Sequence, residues 1–144
     1  MDSQDLFSLF MSLAKQKDKG GDEQICTRLI NEPELLKKTF SQLEEEDPHR
    51  SSINVLHVAC QEGCLMSAQL ILEEQPDLVH QKSEAQWTPL MNACERGQMS
   101  LIELLLDFDN DLINFKSENG SPLHSAISGT KSYDTVKFLF DRMT

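Results

Sequence analysis

The chain is 144 residues long, which fits one compact domain or one short repeat array and leaves little room for two globular domains. With 13 Lys and Arg against 24 Asp and Glu it carries a formal charge of −11, which repels phosphate backbones and anionic lipid and disfavours generic nucleic-acid or membrane-surface binding. Hydrophobic residues make up 39%, enough for a core, yet no wholly apolar run exceeds three residues, as at Leu104 to Leu106, far short of the roughly 20 that cross a bilayer.

Met1 to Asp5 holds two acids and no base ahead of the apolar Leu6 to Leu13, unlike a secretory signal, so the expected compartment is the cytoplasm or nucleus. In such a reducing environment Cys26, Cys60, Cys64 and Cys94 are expected to be thiols. Leu6, Leu9, Phe10 and Leu13 recur at helical spacing after Ser3, and Gly20-Gly21 ends that segment. A second helix is expected from Asp22 through Ile25, Cys26, Leu29 and Ile30, stopping before Pro33. Pro33 then opens a third through Leu36, Phe40 and Leu43, ending at Pro48.

Beyond residue 50 the sequence repeats. Asn54-Val-Leu-His-Val-Ala-Cys60 aligns with Thr88-Pro-Leu-Met-Asn-Ala-Cys94 at an offset of 34, and the latter with Ser121-Pro-Leu-His-Ser-Ala-Ile127 at an offset of 33. The register persists downstream: Gly63 matches Gly97, Leu70 to Leu72 match Leu104 to Leu106, Asp77 matches Asp111, and Lys82 matches Lys116. In the middle unit Thr88 is a suitable helix N-cap and Pro89 occupies the first helical position, where its missing N–H costs nothing. Leu90, Ala93 and Cys94 then share a face, and Gly97 supplies a left-handed residue that ends the helix. The next helix begins near Met99 and carries its apolar stripe on Leu101, Ile102, Leu105 and Leu106. Ala59, Ala93 and Ala126 fall in one register, so successive first helices can approach closely, as a stack requires when no unit buries its apolar face alone.

This pattern resembles the ankyrin repeat, whose signature T-P-L-H-x-A at a period near 33 is carried by Thr88-Pro89-Leu90 and by Ser121-Pro122-Leu123-His124 with Ala126. The resemblance implies an all-α solenoid of stacked helix-turn-helix units with short hairpin-like loops. It divides the chain into an N-terminal helical cap at 1–49 and repeats at about 50–83, 84–117 and 118–144. Glu32-Pro33-Glu34-Leu35-Leu36 echoes Gln75-Pro76-Asp77-Leu78-Val79, so the cap also reads as a degenerate repeat. The sequence departs from the family at Asn54-Val55, where Thr-Pro is usual, and at Met91, where the signature has histidine.

His57, Cys60 and Cys64 suggest a zinc cluster by residue type, but the repeat register explains them better. His57 and His124 share the signature position whose imidazole, in the family, hydrogen-bonds the hairpin and neighbouring repeat. Cys60 and Cys94 occupy the small apolar position after the alanine. With no phosphate-cradling loop, nucleophile elbow or metal-associated carboxylate pair, neither catalysis nor a cofactor or metal is expected.

The resemblance implies instead a protein partner, bound through loop tips and the exposed face of the inner helices. Carried over by position, these are Gln61 and Glu62, then Glu84, Ala85 and Trp87, then Glu95 and Arg96, then Glu118 and Asn119. Two readings stand for Trp87: a rigidly held, exposed aromatic of the kind that anchors interfaces, or a side chain packed against the neighbouring hairpin. The array would serve as a regulatory subunit or adaptor, or as the N-terminal cytosolic segment of a larger channel, effector or signalling protein packed against its own chain. No polar capping unit follows Val136 to Phe140, so further repeats or a partner are expected over that end. The acids Glu73 and Asp77 match Asp107 and Asp111 near the ends of the outer helices, behind the expected binding face, and read as a solubility feature.

Overall fold

A computed structural model describes residues 3–37, 53–83, 85–129 and 133–143. Among them the chain forms eight α-helices in antiparallel pairs: α1 (Ser3–Lys15) with α2 (Gly21–Asn31), α3 (Val55–Glu62) with α4 (Leu65–Glu74), α5 (Pro89–Arg96) with α6 (Met99–Phe108), and α7 (Pro122–Ser128) with α8 (Tyr133–Arg142). The first helices of the pairs pack side by side as an inner row, α1 on α3 on α5 on α7, and α2, α4 and α6 follow one another in an outer row. This is an all-α solenoid.

Local chemistry punctuates each unit at the same place. Asn54, Thr88 and Ser121 have extended backbones and accept the amide hydrogens of His57, Met91 and His124, so each caps an inner helix three residues ahead. Gly63 and Gly97, at φ 81° and 67°, then turn the chain into the outer helix through a left-handed conformation that a Cβ would strain. Short 3-10 turns at Pro33–Lys37, Pro76–His80 and Asn110–Asn114 carry it away from α2, α4 and α6. The expected third helix begins as the first of these turns. Its Phe40 and Leu43 lie outside the described residues.

The stacking register is visible in burial. Ala59, Ala93 and Ala126 are all buried between inner helices, as are Cys60 and Cys94, while Ile71, Leu105 and Leu139 occupy matched buried positions on α4, α6 and α8. Each fully buried leucine or isoleucine stabilises the stack by about 2 kcal/mol, so the apolar seam holds the array together. Ile127 takes the place of Cys60 and Cys94 on α7, where no further unit covers it among the described residues, and it is 52% exposed.

The N-terminal pair is latched by a carboxylate. Asp22, buried on α2, accepts the amide hydrogens of Met66 and Ser67 at 3.0 and 2.9 Å and the Ser67 hydroxyl as well, capping α4 from the preceding unit. A negative charge at a helix N-terminus is favoured by the unpaired amides and the helix dipole. The corner between α1 and α2 is tight: a Cβ on Gly21 would meet the Leu13 carbonyl oxygen at 1.9 Å.

Candidate protein-binding surface

Two hairpins connect successive units and form the ridge above the inner helices. In the first, the Ser83 amide donates to the Trp87 carbonyl at 2.9 Å and the Gln86 amide to Ser83 at 2.9 Å, with Gln86 held at φ 65°. In the second, Ser117 and Gly120 exchange backbone hydrogen bonds of 2.9 and 3.1 Å around a left-handed Gly120. The two are tied together. The Asn119 amide side chain donates to the Ala85 carbonyl at 2.6 Å, and the Ser117 hydroxyl donates to the Gln86 carbonyl at 3.4 Å.

His57 fixes the first hairpin to the unit before it. The Asn54 amide donates to Nδ1 at 3.1 Å, closing a capping box, which leaves the proton on Nε2 to donate to the Trp87 carbonyl at 3.0 Å. Both ring nitrogens are thereby engaged. Complete burial pushes the imidazole pKa down to about 4, outweighing the upward pull of the Trp87 carbonyl, so the ring is neutral near pH 7. Burial likewise raises the Cys60 and Cys94 thiols, and the half-buried Cys26 thiol to a smaller degree. Among the described residues no group of three His, Cys, Asp or Glu side chains is arranged to hold a metal ion.

Trp87 is an interior residue, only 5% exposed, so the reading of an exposed anchor is corrected. Its indole packs with Ala85 and Met91 and against the half-buried Phe115 of the next hairpin, forming a small core of its own beneath the tips. Met91 is the reason. Where His57 reaches a hairpin carbonyl, Met91 presents a flexible apolar chain that suits an aromatic ring. Ala85 is buried in the same cluster and contributes to the surface only through its carbonyl, which Asn119 holds. Gln61 is also interior. Asn92 donates to its side-chain oxygen at 3.5 Å and Gln98 to its carbonyl at 3.2 Å, so it bridges α3 to the next unit.

Of the remaining expected positions, Arg96, Glu118 and Asn119 are exposed and Glu62 and Glu95 are half-buried, with Glu95 3.8 Å from the Arg96 guanidinium. Glu84 lies outside the described residues. Residues not among the expected binding positions join this face: Ser117 and Gly120 at the tip and His124, Ile127 and Ser128 of α7 border, with Glu118 and Asn119, an open cleft of about 580 Å3. The repeat register placed His124 and Ile127 on the inner row, and among the described residues no unit covers them.

The model of ankyrin repeats, in three copies, matches residues 56–144. The chain belongs to the ankyrin-repeat family. Its fold is similar to that of the chaperone Yar1 in the crystal structure of the yeast ribosomal protein Rps3 in complex with that chaperone: the two are 21% identical, the match covers 99% of this chain and 95% of that one, and the TM-score is 0.70. At that identity the likeness is one of fold. Comparison with curated proteins gives no match. Among the described residues no helix is long and apolar enough to cross a membrane.

Proposed function

We infer that this ankyrin array is a non-catalytic protein-binding module, of the regulatory-subunit or adaptor kind, that recognises its partner with the hairpin tips and the exposed inner-helix face. Glu118 and Asn119 lie at the tip, and Glu62, Glu95 and Arg96 lie on the helices beneath it. The observation that carries this reading is the bonding of one hairpin to the next through Asn119 and Ala85, at 2.6 Å. Tips fixed before the partner arrives lose less ordering entropy on binding. In the Rps3–Yar1 complex a protein of this fold and nearly this length is found with a protein partner, in keeping with the reading. Residues 3–37 serve in it as a divergent first unit that caps the apolar face of α3 and α4.

Affinity capture with the wild-type chain and with Arg96→Glu and Glu118→Lys tests it. Both substitutions are at exposed positions and are expected to leave the melting temperature within about 2 °C while reducing recovery of the partner. Undiminished recovery by both variants would reject the assigned face. A second reading has the array packed against further polypeptide of a larger channel, effector or signalling protein. The exposure of Ile127 and of Phe140, at 52% and 65%, favours it, because their counterparts Cys94 and Leu106 in the preceding unit are buried.

A further inference from the structure

Behind the hairpins, α4 and α6 touch far less than α3 and α5 do, and the gap between them is a groove of about 610 Å3. Each wall is a single helical face with residues at i, i+3 and i+4: Gln69, Leu72 and Glu73 on α4, and Leu104, Asp107 and Phe108 on α6. The floor is apolar. Leu72 and Leu104 form it, and Phe108 stands open at 45% exposure, an unusual place for so large an aromatic on an otherwise charged ridge.

Both lips are acidic and in repeat register, Glu73 on one side and Asp107 on the other, and no Lys or Arg lines the groove. Glu74, Glu103, Asp77 and Asp111 stand exposed on the same two helices and the turns that follow them. Among the described residues Arg142 meets Asp107 at 3.3 Å, and no ion pair is formed by Glu73, Glu74 or Glu103. Taken with the overall charge of −11, the groove offers an apolar trough within a negative field.

That combination selects its occupant by charge complementarity. An anionic membrane surface is repelled, and an acidic peptide is too. An amphipathic helix whose apolar face is flanked by Lys and Arg satisfies both the floor and the lips, with apolar anchors at helical spacing lying along the trough. We propose that the α4/α6 groove docks a cationic amphipathic helix of a partner protein, seating apolar side chains against Leu72, Leu104 and Phe108 and bringing basic groups to Glu73 and Asp107. This surface is separate from the hairpin tips, so one array can hold two segments at once.

The test uses an amidated peptide of leucine and lysine, about 14 residues long and so about 21 Å as a helix, with its leucines on one helical face. A peptide of identical composition in scrambled order is the control. In amide-resolved NMR titrations the amphipathic peptide shifts the signals around Gln69–Glu73 and Leu104–Phe108, and the control leaves them unmoved at the same concentration. Phe108→Ala weakens binding about tenfold and Glu73→Lys about fivefold, and Glu118→Lys on the hairpin tip changes it less than about twofold. Three outcomes overturn the proposal: equal shifts with the scrambled peptide, which indicate charge attraction alone; shifts centred on the hairpin tips; or a concentration-dependent dimer lost in Phe108→Ala, which makes a second copy the occupant.

Discussion

Acid should loosen this fold through His57. The folded ring is neutral with a pKa of about 4, whereas the unfolded ring has an ordinary value of about 6.5. Between those values the unfolded chain binds a proton that the folded chain refuses, so stability is complete above the higher value and falls as pH drops through the lower one. The full loss is about 3 kcal/mol, of which about 2 kcal/mol has gone by about pH 5. Protonating the ring puts a hydrogen on Nδ1 facing the Asn54 amide, which destroys the capping box, and leaves a buried charge beside one carbonyl. His57→Gln isolates the effect. Glutamine at this cap position can still accept from the Asn54 amide, but it gives up the bond to Trp87, at about 1–2 kcal/mol near neutral pH, and it does not titrate. Urea unfolding followed by circular dichroism, repeated from about pH 7.5 to about pH 5, gives the stability difference between the two proteins. The wild type should start about 1–2 kcal/mol ahead, and the difference should move against it by about 2 kcal/mol over that range, so that the lead vanishes or reverses by about pH 5, with contributions common to both proteins cancelling. A lead that stays constant with pH would show that the ring is not held neutral by its surroundings.

Further outcomes follow from packing. Trp87→Ala should cost about 3–5 kcal/mol in chemical denaturation, because it empties the small core shared with Ala85, Met91 and Phe115; a loss under about 1 kcal/mol would contradict that packing. Gly21→Ala drives a methyl group into the Leu13 carbonyl and should cost at least about 2 kcal/mol, whereas Gly20→Ala, with open space around it at φ 89°, should cost about 1 kcal/mol in backbone strain; the reverse order in urea titrations would contradict the α1–α2 corner. A thiol reagent should label Cys26 fastest in the folded chain, with Cys60, Cys64 and Cys94 reacting only on unfolding, and rapid labelling of any of the latter three would contradict their burial.

What the sequence made legible was whatever is determined within one unit. Thr88, Pro89 and Gly97 announce a helix start and stop because capping and left-handed turns are settled by residues a few positions apart, and the structure has all three in those roles. The contacts that decide exposure span units. Asp22 caps a helix 45 residues further on, His57 holds a carbonyl 30 residues away, and Trp87 is covered by Phe115 of the following hairpin, none of which a periodic pattern encodes. Repeat register therefore tells on which row and face a side chain lies, while the neighbouring unit decides whether it is covered. One register gives Cys60 and Cys94 complete burial and Ile127 an exposed face. The acids of the outer helices show the same division. Their matched spacing was readable as a charged ridge, but Glu73 and Asp107 become the lips of a groove only because α4 and α6 separate around an apolar floor. The two rows differ in what faces the neighbouring unit: buried alanine and cysteine let the inner helices close on one another, while Leu72, Leu104 and Phe108 line the open gap between the outer helices. Charge that looks like a means of staying in solution is thus carried on the surface where the stack leaves most room for another helix.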